Sequence, residues 1–210
     1  MVWFQRRSRD LCVCIGDSIT HASTEPEGFL TQMQRARPDL RMQAYGLSGG
    51  RAADLWTGKT AWSKSMPYAK ILKTQPSIVI LYIGVNDLWH EPPTPSHIFQ
   101  QELTQLVQAA KAVTPTIVVA TPAVIGETLT EPKDPGLNEF QHLIQTLTIA
   151  QAVTLCDLRA AFTTHLQTHN PNRLTQGILT TDGVHMNSQG NQLIATTLLK
   201  SLAIALKSRG

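Results

Sequence analysis

The chain of 210 residues, 42% hydrophobic and 16% charged, carries enough apolar material for a sizeable core and far less charge than a disordered segment. Its formal net charge of +3 rests on scattered lysines and arginines, which argues against a nucleic-acid partner. No stretch approaches the roughly 18 apolar residues of a membrane span, and the first apolar run is shorter than the roughly 7–15 residues of a secretory signal core, so a cytoplasmic protein is expected.

Arg6, Arg7 and Arg9 read as a solvated N-terminal arm. The first strand is expected at about Leu11–Ile15, an apolar run suited to burial on both faces. Cys12 and Cys14 share one face of it and are badly placed to pair; with Cys156 they read as buried reduced thiols. A helix over Gly28–Arg37 turns Phe29, Leu30 and Met33 inward and stops before Pro38. Strand two, Leu40–Tyr45, alternates apolar and polar residues like an edge strand with one wet face. Strand three, Ile78–Ile83, is apolar throughout and should be central. Further on come a helix over Ser96–Val113, strand four at Ile117–Ala120, a helix over Leu137–Ile149 and a short edge strand at Val153–Cys156. A last helix starts near Asn187 or Ser188 and buries Leu193, Ile194, Leu198 and Leu202. The alternation of strands and helices indicates one α/β domain over 1–210 with a parallel sheet, and five strands of this character fit the doubly wound order 2-1-3-4-5.

Four short blocks stand at or beyond strand ends: Gly16-Asp17-Ser18, then Gly46 in Tyr45-Gly46-Leu47-Ser48-Gly49, then Gly84-Val85-Asn86-Asp87, and Asp182-Gly183-Val184-His185. Each alone has an ordinary structural reading as a turn or cap. In this order they resemble the SGNH hydrolase superfamily, the GDSL esterases and lipases. Ile19 stands where the family name has leucine, and Ala44 where many members carry asparagine. The resemblance implies a three-layer αβα sandwich of flavodoxin-like order, the SGNH hydrolase fold. The turns after strands one, two and three would then gather Ser18, Gly46 and Asn86 on one rim, with His185 arriving from a late loop.

A serine hydroxyl needs a base within hydrogen-bond reach and a third group to orient that base. Among seven histidines, His185 has a carboxylate, Asp182, placed just before it in a loop ahead of a helix, with Gly183 permitting the bend. The resemblance assigns a catalytic triad of Ser18, His185 and Asp182. It assigns an oxyanion hole to the backbone N–H groups of Ser18 and Gly46 and the side-chain amide of Asn86. Asp17 and Asp87 read as structural, holding turns through backbone hydrogen bonds.

The reaction expected is hydrolysis of a carboxylic ester of short acyl chain through an acyl-enzyme, with no cofactor and no metal. A small-molecule ester, carbohydrate or lipid-like, is the expected partner. Two rivals remain: transfer of the acyl group to a sugar or alcohol, and a non-catalytic flavodoxin-like binding module. Gly46-x-x-Gly49-Gly50 matches neither nucleotide-binding glycine pattern, and His165 and His169, four apart on a helix, read as partly buried structural residues. The loops Glu91-Pro92-Pro93-Thr94-Pro95 and 131–136 are expected to wall the site, with Trp89 close by.

Overall fold

A computed structural model describes residues 9–207, so Arg6 and Arg7 of the expected arm lie outside the described residues. Strands β1 (Asp10–Gly16), β2 (Leu40–Gly46), β3 (Ile78–Tyr82), β4 (Ile117–Ala120) and β5 (Thr154–Cys156) pair in parallel in the order β2-β1-β3-β4-β5. This is the expected order. The helices are α1 (Ser18–His21), α2 (Phe29–Ala36), α3 (Asp54–Thr57), α4 (Tyr68–Leu72), α5 (Val85–Trp89), α6 (Ser96–Lys111), α7 (Asp134–Gln151), α8 (Leu158–His169) and α9 (Ser188–Lys207).

The alternation of β1 splits its side chains between two cores. Cys12 and Cys14 face Phe29, Leu30 and Met33 of α2, Phe162 of α8 and Ile194, Leu198 and Leu202 of α9. Leu11, Val13 and Ile15 face Ile71 of α4, Phe99, Leu103 and Leu106 of α6 and Ile144 of α7. The sheet is thus covered on both faces, giving the three-layer sandwich. Each fully buried Leu, Ile or Phe contributes about 1.5–3 kcal/mol, so every layer is held by many such increments. Phe99 and Phe140 stack at 4.0 Å between centroids and join α6 to α7. The thiols are free and buried, and burial pushes Cys12 and Cys156 up to about 12.

The helix expected from Leu137 begins at Asp134 instead. Pro135 lies in its first turn, where a missing N–H costs nothing and the fixed φ suits the helix. Asn187 caps α9, its Oδ1 accepting from the Gly190 N–H at 3.0 Å.

Register decides where the carboxyl ends of the strands stand. Gly16 pairs with Gly46 on one side and Tyr82 on the other. Tyr82 pairs with Ala120, and Ala120 with Cys156. All the strands therefore finish at one level, and the loops beyond them open onto one rim at the switch point between β1 and β3.

Candidate active site

β1 ends at Gly16 because nothing larger fits: a Cβ there would stand 2.0 Å from the Tyr82 carbonyl oxygen. Asp17 follows, with its Oδ1 accepting from the Ile19 N–H at 3.0 Å and capping α1. Ser18 is the first residue of α1, where a backbone N–H has no partner within the helix.

The Asp182–His185 segment reaches the same rim. Gly183 takes φ +90°, the bend expected of it, and the Asp182 Oδ1 accepts from the N–H groups of Val184 at 2.9 Å and His185 at 2.7 Å. The His185 Nδ1 lies 2.7 Å from the Asp182 Oδ2, and its Nε2 lies 3.0 Å from the Ser18 Oγ. Partial burial alone would raise the Asp182 carboxyl; the hydrogen bonds from the His185 ring and from the backbone outweigh it and hold the group below the usual carboxylate range. An ionised carboxylate only accepts. Nδ1 therefore carries the proton, and Nε2 is left to accept from the serine hydroxyl.

A buried residue with no signal in the sequence anchors this loop. Glu127, 1% exposed in the segment after β4, accepts from the Ile178 N–H at 2.8 Å, the Leu179 N–H at 2.6 Å, and both the N–H and the hydroxyl of Thr180. The Thr180 hydroxyl accepts in turn from the Gly183 N–H at 3.1 Å. A glutamate after a glycine in a loop reads as solvated, and only the fold shows it turned inward.

The third side of the rim is the turn after β2. The Gly50 N–H returns to the Leu47 carbonyl at 2.8 Å, with Gly49 at φ +71° in the third position, the form of a type II turn. Helix α5 and His90, just past its end, hold this turn and the residues beyond it. The Asn86 Nδ2 donates to the Gly50 carbonyl at 3.1 Å, the Asp87 Oδ2 accepts from the Ala52 N–H at 3.0 Å, and the His90 Nε2 lies 3.1 Å from the Gly49 carbonyl oxygen. Burial pushes Asp17 up to about 7 and Asp87 up to about 6.

Gly46 lies one step back, as the last residue of β2. A Cβ there would stand 2.1 Å from the His21 backbone nitrogen, so its bareness lets α1 lie against β2. The Leu47 N–H donates to the Gly16 carbonyl. Successive N–H groups of a strand alternate in direction, so that of Gly46 points away from β1. The Gly49 N–H makes no hydrogen bond among the described residues.

Two hollows flank the site. One of about 420 Å³ runs between Trp89, Pro132 and Lys133 and the Asp182–Val184 loop. The other, about 300 Å³, is lined by Gly49, Arg51, Asp54, Thr60, Trp62 and Glu91. Both expected loops thus contribute walls, and Lys133 and Glu91 pair across them at 2.7 Å. His165 and His169 stack at 4.2 Å on α8, His169 at the surface rather than partly buried, and among the described residues no group of three or more His, Cys, Asp or Glu is placed to hold a metal. Among the described residues no helix is long and apolar enough to cross a membrane.

The model of the GDSL-like lipase/acylhydrolase family matches residues 14–193, a span that holds all four blocks. The chain belongs to this family. It is therefore an ester-hydrolysing serine hydrolase, as the order of its blocks led us to expect. The GDSL-like chain is 25% identical over 213 residues to an acetylxylan esterase of Geobacillus stearothermophilus, covering 90% of this chain and 91% of that one. Among solved structures it resembles the acetyl xylan esterase AlAXEase, with a TM-score of 0.82 and 27% identity over 90% of this chain and 98% of that one. The acetylxylan esterase Axe2 from G. stearothermophilus shares the fold at a TM-score of 0.76 and 21% identity, over 93% and 94% of the two chains.

Proposed function

We propose that this GDSL-like hydrolase removes short acyl groups, acetyl first among them, from carbohydrate esters through an acyl-enzyme on Ser18. The observation that carries the reading is the unbroken line from Ser18 Oγ through His185 to Asp182, at 3.0 Å and 2.7 Å. The similarity to acetylxylan esterases supports the substrate class.

In the first half-reaction the Ser18 Oγ bonds to the acyl carbon and its proton passes to the His185 Nε2. The carbonyl electron pair moves onto oxygen. Asp182 holds the Nδ1–H and stabilises the imidazolium. The carbon–alkoxide bond then breaks, and the leaving oxygen takes the proton from Nε2. Water repeats the sequence on the acyl-enzyme and frees Ser18.

The oxyanion needs donors preset where its charge develops. Ser18 N–H, at the head of α1, and the second N–H of the Asn86 amide are two of them. For the third, we assign the Gly49 N–H in place of that of Gly46. The Gly46 N–H is directed away from β1, whereas Gly49 lies in the turn that Asn86 and His90 hold.

The test combines labelling with product analysis. A fluorophosphonate should attach to Ser18, found by peptide mass spectrometry, and acetyl esters should turn over faster than butyryl or octanoyl ones. Acetate should remain the main product when an alcohol acceptor is added. Labelling at another residue would remove the triad; acetyl transfer to the acceptor as the dominant outcome would make the protein an acyltransferase.

A further inference from the structure

Trp62 is 74% exposed and stands beside the turn after β2. It is also firmly held. Lys59 and Lys64 form an antiparallel bridge, and Trp62 sits at the tip of the turn between them. The Trp62 N–H donates to the Thr60 Oγ1 at 3.2 Å, and that hydroxyl donates to the Ser48 carbonyl at 3.2 Å, tying the tip to the turn after β2. One face of the indole stacks on His90, with centroids 5.6 Å apart and an interplanar angle of 29°. The ring edge lies so close to Gly49 that a Cβ there would meet the Trp62 Cε3 at 3.1 Å. His90 and Gly49 are themselves joined at 3.1 Å. An aromatic face is thus fixed in place beside the turn assigned to the oxyanion.

We propose that the free face of Trp62 is the platform for a sugar ring of the substrate, with Arg51, Asp54 and Glu91 around it as partners for ring hydroxyls. This rests on the carbohydrate-ester reading above and names the surface that recognises the sugar. A pyranose presents polarised C–H groups on its flat side, which suit the negative face of an indole, and hydroxyls around its edge. The hollow under Trp62 has that division, an aromatic plate rimmed by a guanidinium, two carboxyls and the Thr60 hydroxyl. A lipid chain would need an apolar trough, and these polar walls do not offer one.

The experiment compares two acetate esters, one with a sugar ring to stack and free ring hydroxyls and one without either: mono-O-acetylated xylobiose and ethyl acetate. The readout is the ratio of kcat/KM on the first to kcat/KM on the second. Trp62→Ala should lower this ratio about tenfold, while Trp62→Phe, which keeps a flat ring, should lower it less than about threefold. Because Trp62 is a surface residue, neither variant should disturb folding, which circular dichroism checks. A ratio unchanged in Trp62→Ala, with the wild type active on both substrates, would overturn the platform and leave the carbohydrate reading standing. Equal losses in Trp62→Ala and Trp62→Phe would remove stacking as the cause. A wild type that turns over ethyl acetate and not the acetylated sugar would end the carbohydrate reading, and the platform with it.

Discussion

The side-chain amide of Asn86 donates one N–H to the carbonyl of Gly50 at 3.1 Å, and the oxyanion role proposed above falls to the other. Asn86→Ala should lower kcat by about 10²–10³ with a smaller change in KM, the signature of a donor used chiefly in the transition state. Loss of the structural half should cost only about 1 kcal/mol of stability. Steady-state kinetics beside a melting curve separates them: a large fall in Tm with kcat per folded molecule unchanged would make Asn86 a turn residue only.

Ser18→Ala should reduce turnover by about 10³-fold or more and leave Tm close to the wild-type value, because the side chain is partly exposed and, among the described residues, its hydroxyl bonds only to the His185 ring. Near-normal ester hydrolysis by the folded variant would exclude Ser18 as the nucleophile.

Stability should fall as pH rises through the weakly acidic range. Burial pushes Asp17 up to about 7 and Asp87 up to about 6, against about 3.9 for an aspartate in an unfolded chain. Below about pH 4 both states hold these protons. Between there and about pH 7 the unfolded chain has lost them while the folded one keeps them, so stability decreases with pH. The depressed Asp182 carboxyl acts the other way, but its window lies below the ordinary aspartate value. Tm should therefore be lower at about pH 8 than at about pH 5. Asp17→Asn, whose amide oxygen can still accept from Ile19, should flatten the trend. Parallel slopes for the variant and the wild type would show that Asp17 does not titrate there.

Glu127→Gln replaces one accepting oxygen with a donor that must face a backbone N–H. The loss of a buried acceptor should cost about 1–3 kcal/mol, which lowers Tm by roughly 2–12 °C in a chain of this size. Since Thr180 and Gly183 depend on it, kcat should fall with KM little changed. Calorimetry and initial rates check both; full activity at unchanged Tm would mean that the loop carrying Asp182 is held by other contacts.

The long elements were legible because each carries its period over enough residues. The apolar run of β3 and the stripe of α6 appear where the pattern puts them, and β2 is the edge strand expected, though Met42 to Tyr45 are all partly buried and no wet face alternates with a dry one. The short helices α3 and α4 span too little sequence to show a 3.6-residue repeat, and they were not foreseen. At the site, Ser18, Asp182 and His185 stood out because each sits in a compact block. The roles we propose for Gly46 and Gly49 did not. Two glycines a few residues apart look alike until one is seen against the His21 backbone and the other at positive φ in a turn. Glu127 was hidden for a different reason: its partners lie about fifty residues further along the chain.

Ser18 and His185 stand 167 residues apart in sequence, and nearby the Phe29 N–H at the head of α2 donates to the Asn191 Oδ1 in α9 across 162 residues. On the mechanism proposed above, Ser18 gains its proton acceptor only when segments this far apart have packed together, and a chain in which α9 has not docked holds Ser18 as an ordinary hydroxyl. Completion of the tertiary fold, rather than any proteolytic cut, is then the step that arms the nucleophile.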